Sequence, residues 1–164
     1  MMVSDYEQSV IVLTTTVLAY VMNADGDDMK PEERARLMTF LGKYVSQDMI
    51  SQRQVKEIVA EAQETIRVVP FRKFVESKTL LDLYPGQKLA VFINAMDASL
   101  VDDRSSGGQT EALDILRRAL DIDLDTSRAI QKIFLLKNSS AVLADILHPT
   151  NASQLPIRVR LFSA

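Results

Sequence analysis

The sequence predicts an all-α protein: a single-domain bundle of about seven helices, built around two pseudo-symmetric helix-turn-helix units. Three observations carry this prediction. Apolar residues recur at alternating spacings of three and four, the period of helices with one buried face. Only 5 Gly and 5 Pro occur in 164 residues, few for a turn-rich all-β fold. Proline and serine also stand where helices begin, as at Pro31 and Ser51.

The first helix is expected from Asp5 to Met22. Its stretch from Val10 to Val21 is largely apolar, but it follows Asp5 and Glu7 and is interrupted by Thr14, Thr15 and Thr16. It lacks a basic leader and is too short to span a bilayer, so it reads as a buried helix without stable membrane insertion. An acidic turn, Asn23 to Asp28, ends it. The second helix starts at Pro31, with Glu32 and Glu33 at the positive end of its dipole and Leu37, Phe40, Leu41, Tyr44 and Val45 as its apolar stripe.

Ser51 with Gln54 forms a capping-box pattern that opens a third helix, whose face is Val55, Ile58, Val59, Ala62 and Ile66. Pro70 breaks the run, and Phe71 to Leu83 reads as one shorter helix. Pro85-Gly86 precedes a fifth helix with the stripe Leu89, Phe92, Ile93, Met96 and Leu100. The segment Asp97 to Gly108 is the most loop-like of the chain. A sixth helix follows from about Gln109 to Leu120, with Leu113, Leu116 and Leu120 inward. A seventh is capped near Asp125 or Thr126, carries Ile130, Ile133, Phe134 and Leu136, and extends toward Leu147 before Pro149 stops it. The helical domain thus occupies residues 1–148. Residues 149–164 form an extended or mobile tail, in which Ile157-Arg158-Val159-Arg160-Leu161 alternates with the period of a strand.

Composition narrows the function. Hydrophobic residues make up 47% and charged residues 25%, ordinary for a globular chain, and the default address is cytoplasmic. A net charge of -3 argues against a dedicated nucleic-acid binder, which needs surplus Lys and Arg to neutralise phosphates. With no cysteine, thiolate metal sites and thiol catalysis are excluded. The nucleophile elbow, the Walker phosphate loop and the dinucleotide fingerprint are missing. The single histidine, His148, stands before Pro149 at a presumed helix end, where a cation suits the dipole.

The candidate site is the acidic turn. Asp25, Asp27, Asp28, Glu32 and Glu33 concentrate carboxylates between two helices, and Gly26 lets the backbone fold back. Calcium takes about six to eight oxygens from such groups, although counting from Asp25 the twelfth residue is Arg36, so the spacing is not that of an EF-hand. A metal site would need two acidic turns to converge. A solvated, well-capped helix junction and a docking surface for a basic partner are the other readings.

That turn has an echo. Val21-Met22-Asn23-Ala24-Asp25-Gly26 resembles Phe92-Ile93-Asn94-Ala95-Met96-Asp97, slipped by one residue; each ends an apolar helix before an acidic loop and a Glu-led amphipathic helix. A helix ending in Ala-Asp-Gly, a short turn, Pro-Glu-Glu and an amphipathic helix resembles the tellurite-resistance TerB-like family, over roughly residues 8–137. The resemblance implies an all-helical module with two such units and acidic clusters at their junctions. It matches Asp25 and Glu33, or less well Glu32, to the first acidic pair, and Asp97 and Glu111 to the second. The first turn is one residue longer than is usual there, and Ala98 stands where the second unit often has glycine.

The function this implies is a non-enzymatic stress-response or interaction module that binds a divalent cation (calcium or magnesium) or a basic protein partner through its acidic turns. A metal-dependent hydrolase using the same carboxylates and a purely structural bundle are the alternatives. Arg67, Arg72, Lys73 and Lys78 form a basic patch that complements the acidic turns of a second copy, which would favour a homo-oligomer.

Overall fold

The computed structural model describes residues 4–24, 26, 28–99 and 107–138. Among them are eight helices and no strand: α1 (Asp5–Met22), α2 (Pro31–Ser46), α3 (Gln52–Val68), α4 (Phe71–Phe74), α5 (Lys78–Leu81), α6 (Pro85–Ser99), α7 (Gly107–Ala119) and α8 (Leu124–Asn138). The all-α prediction holds, and α1, α2 and α3 begin where the sequence placed them.

α1 is the axis of the bundle, packing against α2, α3, α6 and α7. A helix that is apolar on every side must be surrounded. From Leu13 to Met22 every residue is buried, including Thr14, Thr15 and Thr16. Those hydroxyls have no water to bond. Each instead donates to the carbonyl four residues back, Val10 at 2.7 Å, Ile11 at 2.8 Å and Val12 at 3.0 Å. Ser4 caps the helix, its Oγ accepting from the Glu7 amide while the Glu7 carboxylate accepts from the Ser4 amide at 2.9 Å.

α2 and α3 pack on each other as well as on α1, and the core gathers Leu37, Leu41, Val55, Ile58, Val59 and Ala62 from their inner faces. Lys30 stands at the N-cap of α2 and cannot accept a hydrogen bond. Only the return half of a capping box remains there, with Glu33 accepting from the Lys30 amide at 3.0 Å. α2 and α7 both end on an aspartate with left-handed backbone, Asp48 and Asp121, each with φ of 55°. The amide after each donates five residues back, Met49 to Tyr44 and Ile122 to Arg117.

The structure corrects five expectations. Phe71 to Leu83 is not one helix but two short turns, α4 and α5. At roughly 100° per residue, a continuous helix would set Leu80 opposite Phe71; the break at Ser77 lets Leu80 be fully buried while Phe71 and Phe74 pack on the core. The buried face of α6 is Val91, Phe92, Ala95, Met96 and Ser99, rotated from the predicted stripe, and Leu89 is exposed. Ala112 joins Leu116 on the buried face of α7, and Leu113 is only partly buried. α8 starts earlier than expected because Asp123 is its cap, accepting from the Thr126 amide at 2.7 Å. Ile133 of α8 is 55% exposed and only Phe134 is buried. The expected extension to Leu147, the strand-like tail and His148 lie outside the described residues.

Candidate functional site

The end of α1, the α3–α4 junction and the head of α7 enclose an open cleft of about 500 Å³. Its floor is apolar. Tyr20 lies between the rings of Phe71 and Phe74, at centroid distances of 5.0 and 4.9 Å, and Ala112 and Ile115 complete the wall. The Tyr20 hydroxyl donates to the Val69 carbonyl at 2.6 Å and more weakly to the Thr65 carbonyl at 3.3 Å, tying the end of α3 to α1. Burial pushes the phenol pKa up to about 12.

The rim is charged with both signs. Arg67 reaches back to Glu64 at 2.8 Å, and Arg72 meets Glu111 of α7 at 3.1 Å. The Glu64 bond and charge, and then the charge of Asp28, hold the Arg67 guanidinium more firmly protonated than usual. The first turn supplies the remaining edge. Asn23, Ala24 and Gly26 line it, the Gly26 amide donating to the Asn23 carbonyl at 3.2 Å. A Cβ on Gly26 would come within 3.1 Å of Asn23 Oδ1, so a larger residue there would make the Asn23 side chain shift by a few tenths of an ångström. That oxygen is buried and has no hydrogen-bond partner among the described residues.

The sequence-selected acids divide among these features. Asp28 is exposed beside the Arg67 rim, and Glu111 is part of the rim. Glu33 is occupied in capping α2 through the Lys30 amide, while Glu32 is exposed in the first turn of the same helix. Asp97 does not line the cleft. It lines a second depression between α2 and α6, and its carboxylate meets Lys137 of α8 at 3.6 Å. Asp25 and Asp27 lie outside the described residues. Among the described residues, no three acids or histidines gather closely enough to hold a metal ion.

Sequence reasoning missed the aromatic floor and the pairing of Arg72. Phe71 and Phe74 stand three apart, which suits one face of a helical turn, but no local pattern announces that Tyr20, about fifty positions earlier, meets both rings. Likewise Arg72 finds Glu111 of its own chain, 39 residues away, where charge counting offered only a partner copy.

The fold and cleft define an all-helical protein with a solvent-open, aromatic-floored junction between helix hairpins. No described helix is long and apolar enough to cross a membrane. Comparison with family models, with curated proteins and with solved structures finds no match.

Proposed function

We propose that this chain is a non-enzymatic interaction module of TerB-like organisation that docks a protein partner at the junction cleft. The observation that carries the reading is the composition of that cleft: Tyr20 and Phe71 at its floor, Arg67, Arg72 and Glu111 at its rim. Aromatic residues and arginine over an apolar centre with a charged margin are the makeup of protein interfaces and their hot spots. A partner with one apolar anchor and flanking basic residues would use both the floor and the carboxylates of the first turn.

The organisation in two related units is supported by how the paired helices end. α2 and α7 each close on an aspartate at φ 55° with an amide bonding five residues back, and each is followed within a few residues by an N-capped helix, α3 behind Ser51 and α8 behind Asp123. Two such identical endings, one per hairpin, fit a repeated unit better than coincidence.

The test is partner capture by the full chain with the rim reversed. Wild type and the remote Arg53→Glu variant should retain the same partner from a native lysate, and Arg67→Glu and Glu111→Arg should lose it. Equal retention by all four chains would sink the reading.

One observation favours a second reading, a divalent cation in the first turn. Asn23 Oδ1 is a buried oxygen without a donor, at the start of a turn that carries Asp25, Asp27 and Asp28. A hard cation takes oxygens of this kind.

A further inference from the structure

On the other side of α1 from the junction cleft, α2 and α6 both lean on α1 and leave a groove of about 450 Å³ between them. Leu18 and Met22 of α1 with Leu37 and Phe40 of α2 line it with apolar surface. Lys43 stands on one rim with its ammonium over the Phe40 ring at 4.5 Å, and Asp97 stands on the other. We propose that this groove is the docking site of the chain's own segment 141–147.

Three observations select that occupant. The first is where the described chain ends. Lys137 contacts Asp97 on the groove's rim at 3.6 Å, and the described residues end one position later, at Asn138, with 26 residues of chain to follow. The three residues from Asn138 to Ala141 span up to about 10 Å when extended, enough to turn from that rim into the groove.

The second is pattern. Ala141-Val142-Leu143-Ala144-Asp145-Ile146-Leu147 places Val142, Leu143, Ile146 and Leu147 along one helical stripe, an apolar face that needs a complement. The third is charge. The other apolar stretch after Asn138, Ile157 to Leu161, carries Arg158 and Arg160 toward a rim that already has Lys43. Segment 141–147 carries the only carboxylate side chain beyond Asn138, Asp145, and no cation. Unlike charges at the margin favour the nearer segment and disfavour the farther one. Docking there would cover the groove from within the chain, and a partner for this surface would first have to displace the segment. The inference does not depend on the junction cleft, which lies across α1.

The absence of cysteine allows a clean test in the full chain. A nitroxide attached at Thr39→Cys, on the exposed side of the groove, should broaden the amide resonances of residues 141–147 in isotope-labelled protein and leave those of 157–161 sharp. Leu143→Glu with Ile146→Glu should restore the broadened signals while the resonances of α1 to α7 stay in place. Sharp signals from 141–147 in the labelled wild type would overturn the proposal, as would broadening of 157–161 instead. Broadening seen only when spin-labelled and isotope-labelled chains are mixed would also overturn it, by assigning the groove to a second copy.

Discussion

The hydroxyl of Tyr20 and the carbonyl of Val69 form the 2.6 Å hydrogen bond that ties α1 to the exit of α3. Both partners are within the protein, so the substitution Tyr20→Phe removes the donor and leaves the Val69 carbonyl to find water or go unpaired. The ring stack on Phe71 and Phe74 survives in phenylalanine, which isolates the bond from the packing. The bond is only partly buried, so losing it costs about 0.5–1.5 kcal/mol. Urea unfolding of Tyr20→Phe should therefore show a lower midpoint with an unchanged slope. A midpoint equal to wild type would mean that the carbonyl is satisfied without Tyr20.

The same group sets a pH dependence. In the unfolded chain the phenol titrates near its ordinary value of 10.0, and in the folded protein burial raises it to about 12. A raised folded value means that the native state holds its proton longer than the unfolded one. The contribution of Tyr20 is thus fully present below pH 10 and is lost as pH climbs from about 10 to about 12. The comparison is with Tyr20→Phe, in which every other group of the chain is unchanged. The stability difference between the two chains should shrink steadily across the window. A constant difference would place the Tyr20 phenol in water.

Asp48 and Asp121 offer a gain instead of a loss. Each holds φ of 55°, a conformation that glycine adopts without a Cβ clash and that aspartate tolerates at some strain. Asp48→Gly and Asp121→Gly should each stabilise the protein by about 0.5–1 kcal/mol, less whatever entropy glycine adds to the unfolded chain. Asp121→Val should destabilise, because a β-branched residue resists that backbone. The two sites lie at separate helix ends, so the glycine gains should add in the double variant. Thermal melts of the four chains check this directly.

Much of the fold is written locally. Ser51 with Gln54 and Pro31 before Glu33 fix where α3 and α2 start, and the apolar run through Val21 marks α1 as the buried helix, because caps and periodicity act within a few residues. The split between α4 and α5 was not read, because Phe71 to Leu83 shows no breaker, and only the packed core requires Phe71 and Leu80 both to face inward. What could not be read is long-range. The rotation of α6 is set by its neighbours α1, α7 and α8, and Leu89 gives way to Val91 and Ala95 because only the assembled bundle decides which side faces inward. The candidate site divides the same way. The acidic turn is a sequence feature, but its setting beside Tyr20, Phe71 and Glu111 is made by chain crossings that no spacing rule encodes.

Asn23 decides between an ordinary packing defect and a cation ligand, because the two roles move stability in opposite directions. A buried oxygen with no donor destabilises the native state, so without added metal Asn23→Ala should melt no lower than wild type, and higher if the whole penalty is relieved. If Oδ1 is a ligand, saturating cation reverses the order. A cation held at 100 times its dissociation constant adds about 2.7 kcal/mol to the wild type, and a chain that has lost a ligand gains less. The experiment is thermal unfolding of wild type, Asn23→Ala and Asp25→Asn, each alone and with Ca²⁺, Mg²⁺, Mn²⁺ or Zn²⁺. Asp25→Asn is the control for charge, since it keeps an oxygen and removes a negative charge from the same turn. A metal-dependent rise confined to the wild type would assign the cation to this turn through both residues. Melting curves that ignore every ion, with Asn23→Ala the most stable of the three, would make Asn23 a strained helix end and leave the aromatic cleft beside it as the working surface.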